Sequence, residues 1–114
     1  MREKIKATRD DWEIIDMPEK HDTFTIKNKF SKEQIENLSY GHIPDEMEDR
    51  WFSYMEDNKM YIHRSWSGIC VYVLSFRKHS KKIDVTVNRD PGQYSCTDND
   101  EDTEILQQLL DWWS

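Results

Sequence analysis

Residues 61–72 read YIHRSWSGICVY, so His63, Arg64, Ser65 and Trp66 set an imidazole, a guanidinium, a hydroxyl and an indole in succession. Arg50 and Trp51 lie just upstream, and Tyr61 opens the stretch. These types suit recognition of a phosphorylated, ring-bearing molecule. The planar fork of an arginine matches phosphate oxygens two at a time, which assigns that task to Arg64, with Arg50 as its partner. Trp51, Tyr61 and Trp66 carry flat faces on which a base or nicotinamide-like ring can stack. His63 can hydrogen-bond or exchange a proton near neutral pH, and Ser65 can bond to ribose or phosphate oxygens. Each residue also has a structural reading. His63 could be a neutral histidine satisfied within a mixed face, and Arg64 could pair with Glu48, Asp49 or Glu56. At least one of Trp51 and Trp66 could be core, and Trp112 and Trp113 read as packing or an oligomer contact.

The elements that must position these side chains follow from periodicity. From Arg50 to Arg89 the apolar period is two, which predicts strands. RWFSYME and MYIHRSW form a hairpin about Asp57-Asn58-Lys59, Ser67-Gly68 reverses the chain into ICVYVLSFRK, and HSKK reverses it into IDVTVNR. Residues 23–30 read as a further short strand. Residues 31–41 read as a helix, with Ser31 and Gln34 at capping-box spacing and Gly41 as its left-handed stop. After a loop turning at Pro91-Gly92, Ile105, Leu106, Leu109, Leu110, Trp112 and Trp113 recur at helical spacing, behind acids that suit a helix N-terminus. Residues 1–22 are charged and weakly periodic; Ile5, Trp12, Ile14 and Ile15 could dock on the rest or leave the segment flexible. The sum is one α+β domain over residues 1–114, an antiparallel sheet of about five strands with a short helix and a C-terminal amphipathic helix covering one face.

A three-residue first turn and a two-residue second turn set a register. One face then carries Arg50, Phe52, Tyr54, Ile62, Arg64, Trp66, Ile69, Val71 and Val73. The other carries Trp51, Ser53, Met55, Tyr61, His63, Ser65, Cys70, Tyr72 and Leu74, with Ser53, His63 and Tyr72 in one row. The first face is richer in β-branched residues and is the expected floor beneath the C-terminal helix. The second is a shelf of aromatics with hydroxyls and an imidazole, a mixture typical of ligand sites.

Composition narrows the function classes. The chain has 114 residues, 34% of them charged, and a net charge of −7. A chain of this length buries roughly two thirds of its unfolded surface and can build a core without staples. The negative charge argues against a sequence-independent grip on nucleic acid, which needs cations to displace counterions. A local basic pocket could still hold one small anion. Cys70 and Cys96 form no CxxC pair and read as reduced thiols in the cytoplasm, with a disulfide as the lesser reading. The first residues lack the apolar core of a secretory signal, and no apolar run approaches the ~20 residues of a membrane span. The acid runs 44–49 and 98–104 lack the oxygen-ligand alternation and central glycine of a calcium loop. The histidines at 21, 42, 63 and 79 show no zinc spacing, so no metal or cofactor is expected. Three glycines leave no phosphate-cradling loop, and no GxSxG element is present.

The stretch RWFSYMEDNKMYIHRSWSGICVY resembles a pattern in a family of small, largely uncharacterised bacterial and phage proteins: (R/K)WF, a short acidic turn, Y-x-HRSW-(S/T)-G, and a CIY-like strand. The resemblance spans roughly residues 44–74, and the matching positions are Arg50, Trp51, Phe52, Tyr61, His63, Arg64, Ser65, Trp66 and Gly68. In that family the segment sometimes accompanies domains that process ADP-ribose, so the resemblance implies a nucleotide or ADP-ribose-type ligand. The leading expectation is therefore a small cytosolic domain that binds a phosphorylated small molecule. The runner-up is an acidic protein-interaction or inhibitor module facing a basic partner. The third is a small hydrolase using His63 as base, for which a nucleophile motif is missing.

Overall fold

A computed structural model of the chain describes residues 7–27, 30–44, 49–76, 81–94 and 98–114. Ile5, Glu48, His79, Cys96 and most of the acid run 44–49 lie outside the described residues. Five antiparallel strands form one open sheet in the order β1-β5-β4-β3-β2. They are β1 (His21–Lys27), β2 (Trp51–Glu56), β3 (Lys59–Arg64), β4 (Cys70–Phe76) and β5 (Lys82–Asn88). Helix α1 (Lys32–Ser39) lies between β1 and β2 in the chain, and α2 (Asn99–Trp113) follows β5.

The helix ends follow local chemistry. The Ser31 hydroxyl accepts from the Gln34 amide at 3.1 Å, and the Ser31 amide donates to the Gln34 side chain at 2.9 Å. Gly41 stops α1 with φ +74° and its amide on the Leu38 carbonyl. Helix α2 begins six residues ahead of its apolar stripe, because Asp98 caps it by accepting from the Asp100 amide and Asp100, Glu101 and Asp102 occupy its first turn.

Packing under α2 makes the main core. Ile62, Tyr72, Leu74, Val85 and Val87 from the sheet meet Leu106, Leu109 and Leu110, with Leu38 from α1. Trp112 is 73% exposed, so it leaves the apolar stripe that its spacing suggested, whereas Trp113 is half-buried. No helix among the described residues is long and apolar enough to cross a membrane.

The register differs from the expected one at both hairpin turns. The first turn has two residues, not three: Glu56 pairs with Lys59, and Asp57 and Asn58 both take positive φ, 53° and 63°. Such a turn matches the twist of the flanking strands. The change of one residue turns β3 over relative to β2. Phe52 therefore stands opposite His63, and Trp51 opposite Arg64. The second turn spans Ser65–Gly68, closed by the Arg64 amide on the Ile69 carbonyl at 2.9 Å. Ile62 pairs with Tyr72 while His63 pairs with Cys70, which leaves Val71 as an extra residue in β4. Arg64, Ile62 and Tyr72 consequently share the α2 side with Trp51 and Ser53. Phe52, Tyr54, Tyr61, His63 and Cys70 share the opposite side. The expected row of Ser53, His63 and Tyr72 does not exist, and the expected floor beneath α2 is divided between the two faces.

Residues 7–16 form a strap over that opposite side. Ala7, Phe52 and Tyr54 are buried together, with Trp12, Ile14 and Tyr61 packed around them. The strap makes one turn of 3-10 helix at Arg9–Asp11, capped by Thr8, and then runs beside the second turn through an Ile15–Ile69 bridge.

A candidate recognition surface at the turn between β3 and β4

The four residues of the opening stretch do not share one strand face. His63 points under the strap, Arg64 points to the α2 side, Ser65 anchors the turn, and Trp66 stands at its tip. Ser65 is buried; its hydroxyl donates to the Asp49 carbonyl at 2.7 Å and its amide to the Arg50 carbonyl at 2.9 Å. Its own carbonyl accepts from the Trp12 indole at 2.8 Å. Trp66 is 78% exposed.

Gly68 completes the arrangement. It has φ +75°, and a Cβ there would stand 2.3 Å from the Glu13 carbonyl oxygen. Glycine both supplies the left-handed backbone and lets the strap approach. The Gly68 carbonyl accepts from the Ile15 amide at 2.8 Å and from His63 Nδ1 at 2.9 Å. The motif is thus a platform on which the strap is laid.

His63 is 1% exposed, and its ring lies against Tyr54, with centroids 5.8 Å apart, and against Phe52 at 6.2 Å. Because Nδ1 donates to a carbonyl, Nε2 holds the lone pair, and it has no hydrogen-bond partner among the described residues. Burial pushes the imidazole below its ordinary value, against smaller upward effects of the Gly68 carbonyl and Asp16. His63 is neutral in this setting and is closed off from a substrate by the strap. Tyr61 stacks on Tyr54 with centroids 4.8 Å apart. Burial pushes the Tyr54 phenol up to about 12 and the Cys70 thiol, free and buried, likewise to about 12. Neither is an anion near neutrality.

Beside this platform lies an open recess of about 340 Å³ lined by Asp11, Trp12, Glu13, Ser65, Trp66 and Ser67. It gathers Ser65 and Trp66 with three strap residues that sequence reasoning did not assign to a site. Its ionisable side chains are carboxylates, so it favours a cation or hydrogen-bond donors over a phosphate.

Arg64 and Trp51 meet on the other side of the sheet. The guanidinium carbon stands 4.6 Å from the centroid of the Trp51 ring, a cation–π contact, and Trp51 also packs on Tyr72. Arg64 makes no ion pair among the described residues. Asp49, one of its expected partners, bonds instead to His42 Nε2 at 2.6 Å, and His42 stacks on Trp113. Arg50 is exposed. A larger groove of about 680 Å³ between α1 and the first hairpin is lined by Lys32, Ile35, Glu36 and Met55 among others, and holds none of the expected site residues.

The sequence reading missed a buried polar cluster. Asp102 is fully buried; its Oδ1 accepts from the Tyr72 and Tyr94 hydroxyls at 2.7 and 2.6 Å, and its Oδ2 from Arg89 at 2.6 Å. Two phenols that both donate to one oxygen satisfy it, and Arg89 supplies the counter-charge that a buried carboxylate needs. Burial and these bonds push the Tyr72 phenol far up. The available signal was Asp102 at the α2 stripe spacing, four residues before Leu106, where an apolar residue is expected. The cluster fixes the start of α2 on β4 and has the chemistry of a structural tie.

Fold and surface together define a small α+β protein with a strap-bearing sheet and an acidic, indole-lined recess. Compared with protein-family models, with curated proteins and with solved structures, the chain finds no match in any of the three.

Proposed function

We propose that the chain is an acidic protein-interaction module that takes a positively charged side chain or short basic segment of a partner protein into the recess around Trp66. The observation that carries this reading is an indole exposed to 78% beside two carboxylates and a second indole. Indoles and carboxylates together bind an ammonium or guanidinium, by cation–π attraction and by ion pairing. An exposed tryptophan is also the residue type that most often anchors a protein interface. The net charge of −7 steers a basic partner toward the chain. The recess is at the small end of ligand sites, which suits one or two side chains. The proposal includes a cytoplasmic setting.

The test is titration with an oligoarginine peptide, read by tryptophan fluorescence at two salt concentrations. Saturable, salt-weakened binding is expected, with a loss of about tenfold or more in Trp66→Ala, the scale of an interface anchor. Asp111→Asn, a charge change on α2 at a residue that does not line the recess, serves as control. Equal affinity in Trp66→Ala and wild type would overturn the reading.

One observation favours a second reading, the nucleotide or ADP-ribose-type ligand implied by the resemblance. Arg64 holds its guanidinium on Trp51 with no carboxylate partner among the described residues, and Arg50 is exposed nearby. Phosphate on Arg64 would then lie on the side of the sheet away from His63. A thermal-shift series with nucleotides and ADP-ribose tests this; saturation at ~100 times the dissociation constant adds about 2.7 kcal/mol.

A further inference from the structure

The strap supplies Asp11, Trp12 and Glu13 to the recess, and it is held at its far end by the Gly68 carbonyl. That carbonyl is shared between the Ile15 amide and His63 Nδ1, while His63 Nε2 lies buried with no partner among the described residues. A second proton on this ring must go to Nε2, where it would create a buried N–H without an acceptor and a buried charge among aromatic rings. Both are costly, and both are relieved when water reaches the ring. The strap is the described segment that closes this side, so water enters when the strap lifts.

We propose that His63 is a proton-operated latch: protonation at mildly acidic pH releases residues 7–16 from the sheet and dismantles the acidic half of the recess. This rests on the reading of the recess as the binding site only for its consequence, not for the latch itself. The groups that face His63 support the assignment. From β2 and β3 these are the Tyr54 and Tyr61 phenols, and from β4 the Cys70 thiol; phenols and thiols are neutral in the acidic range, and burial moves each of these further from ionising. From the strap it is Asp16, whose carboxylate pairs with Arg9 at 3.9 Å and favours the charged ring only weakly. Among the described residues no carboxylate contacts Nε2, so none of them accepts the second proton of the ring. The latch therefore operates in one direction, closed when neutral and open when charged.

Amide hydrogen exchange on the full chain tests the proposal without any partner. The Ile15 amide reports the strap, and Val85 and Val87 in β5 report the sheet. After correction for intrinsic exchange, opening at Ile15 should rise by up to about tenfold per pH unit below ~6.5, the ordinary histidine value. Val85 and Val87 should stay protected. His63→Asn keeps a donor near the Gly68 carbonyl but cannot titrate, so its Ile15 exchange should be flat over the same range. Should that variant fold poorly, NMR of the wild-type imidazole decides: ring protonation must coincide with loss of Ile15 protection. A ring that titrates with the strap still docked, or Ile15 and β5 amides that open together, would overturn the latch. If the strap opens as described but oligoarginine affinity is the same at about pH 7.5 and about pH 5, either side of the histidine range, the latch stands and the recess reading fails.

Discussion

Gly68→Ala isolates the contact on which the strap depends. At φ +75° the new methyl pays the left-handed penalty of an L-residue, roughly 1–2 kcal/mol. The methyl would also stand 2.3 Å from the Glu13 carbonyl oxygen and 3.1 Å from the Ile14 Cα, both backbone atoms that cannot rotate away. The strap must therefore move off, and the Ile15 amide loses its bond to the Gly68 carbonyl, worth about 1 kcal/mol net. Trp12 and Ile14 then lose part of their packing on Phe52. The expected cost is about 3 kcal/mol in a urea melt, together with a red shift and easier quenching of Trp12 fluorescence as its indole leaves the Ser65 carbonyl. Gly92→Ala is the control: its φ is ordinary, and the nearest atom to the added methyl is an Asp90 side-chain oxygen at 3.3 Å, so its melt should stay within ~0.5 kcal/mol of wild type. A Gly68→Ala protein that melts like Gly92→Ala, with Trp12 still shielded, would refute the close approach of strap and turn.

Leu109→Ala, at a position 2% exposed under α2, should cost ~2–5 kcal/mol by urea melt. Asp102→Ala should cost ~3–5 kcal/mol because Arg89 loses its carboxylate inside the protein, whereas Tyr72→Phe, which leaves Tyr94 on Asp102, should cost only about 1 kcal/mol. A comparison of their melting midpoints tests this order, which the opposite ranking would contradict. Because His63 takes up its proton less readily folded than unfolded, the unfolded chain binds more protons below pH ~6.5. Stability should thus be full above that value and decline as the pH falls toward the lower folded value, a decline that His63→Asn should lack. Arg64→Lys keeps the charge but not the planar fork; if Arg64 holds phosphate, nucleotide affinity should drop with a wild-type-like melt. A lowered melt with no nucleotide response in wild type would assign Arg64 to packing on Trp51.

Much of the architecture was legible because it is written in local periods and caps. The alternation from Arg50 to Arg89 marks strands, and the Ser31–Gln34 spacing and Gly41 bound α1. What periodicity does not carry is the count of residues in a turn. Asp57 and Asn58 were legible as turn residues, but whether Lys59 belonged to the turn or to β3 was not, and that one residue decides which side of the sheet every β3 side chain takes. The extra residue at Val71 has no local signature either, since a buried valine suits a regular strand as well as a bulge.

The strap was the least legible part. Its hold on the sheet comes from Trp12 on the Ser65 carbonyl and Ile15 on the Gly68 carbonyl, bonds across more than fifty residues that leave no repeat in residues 7–16. The sequence by itself determined the elements, because capping and alternation are interactions between near neighbours. Only the tertiary structure decided that His63 is closed in, that Arg64 faces the other side, and that Trp66 meets Asp11 and Glu13. Those placements depend on a turn length and on long-range backbone contacts, which near neighbours do not encode.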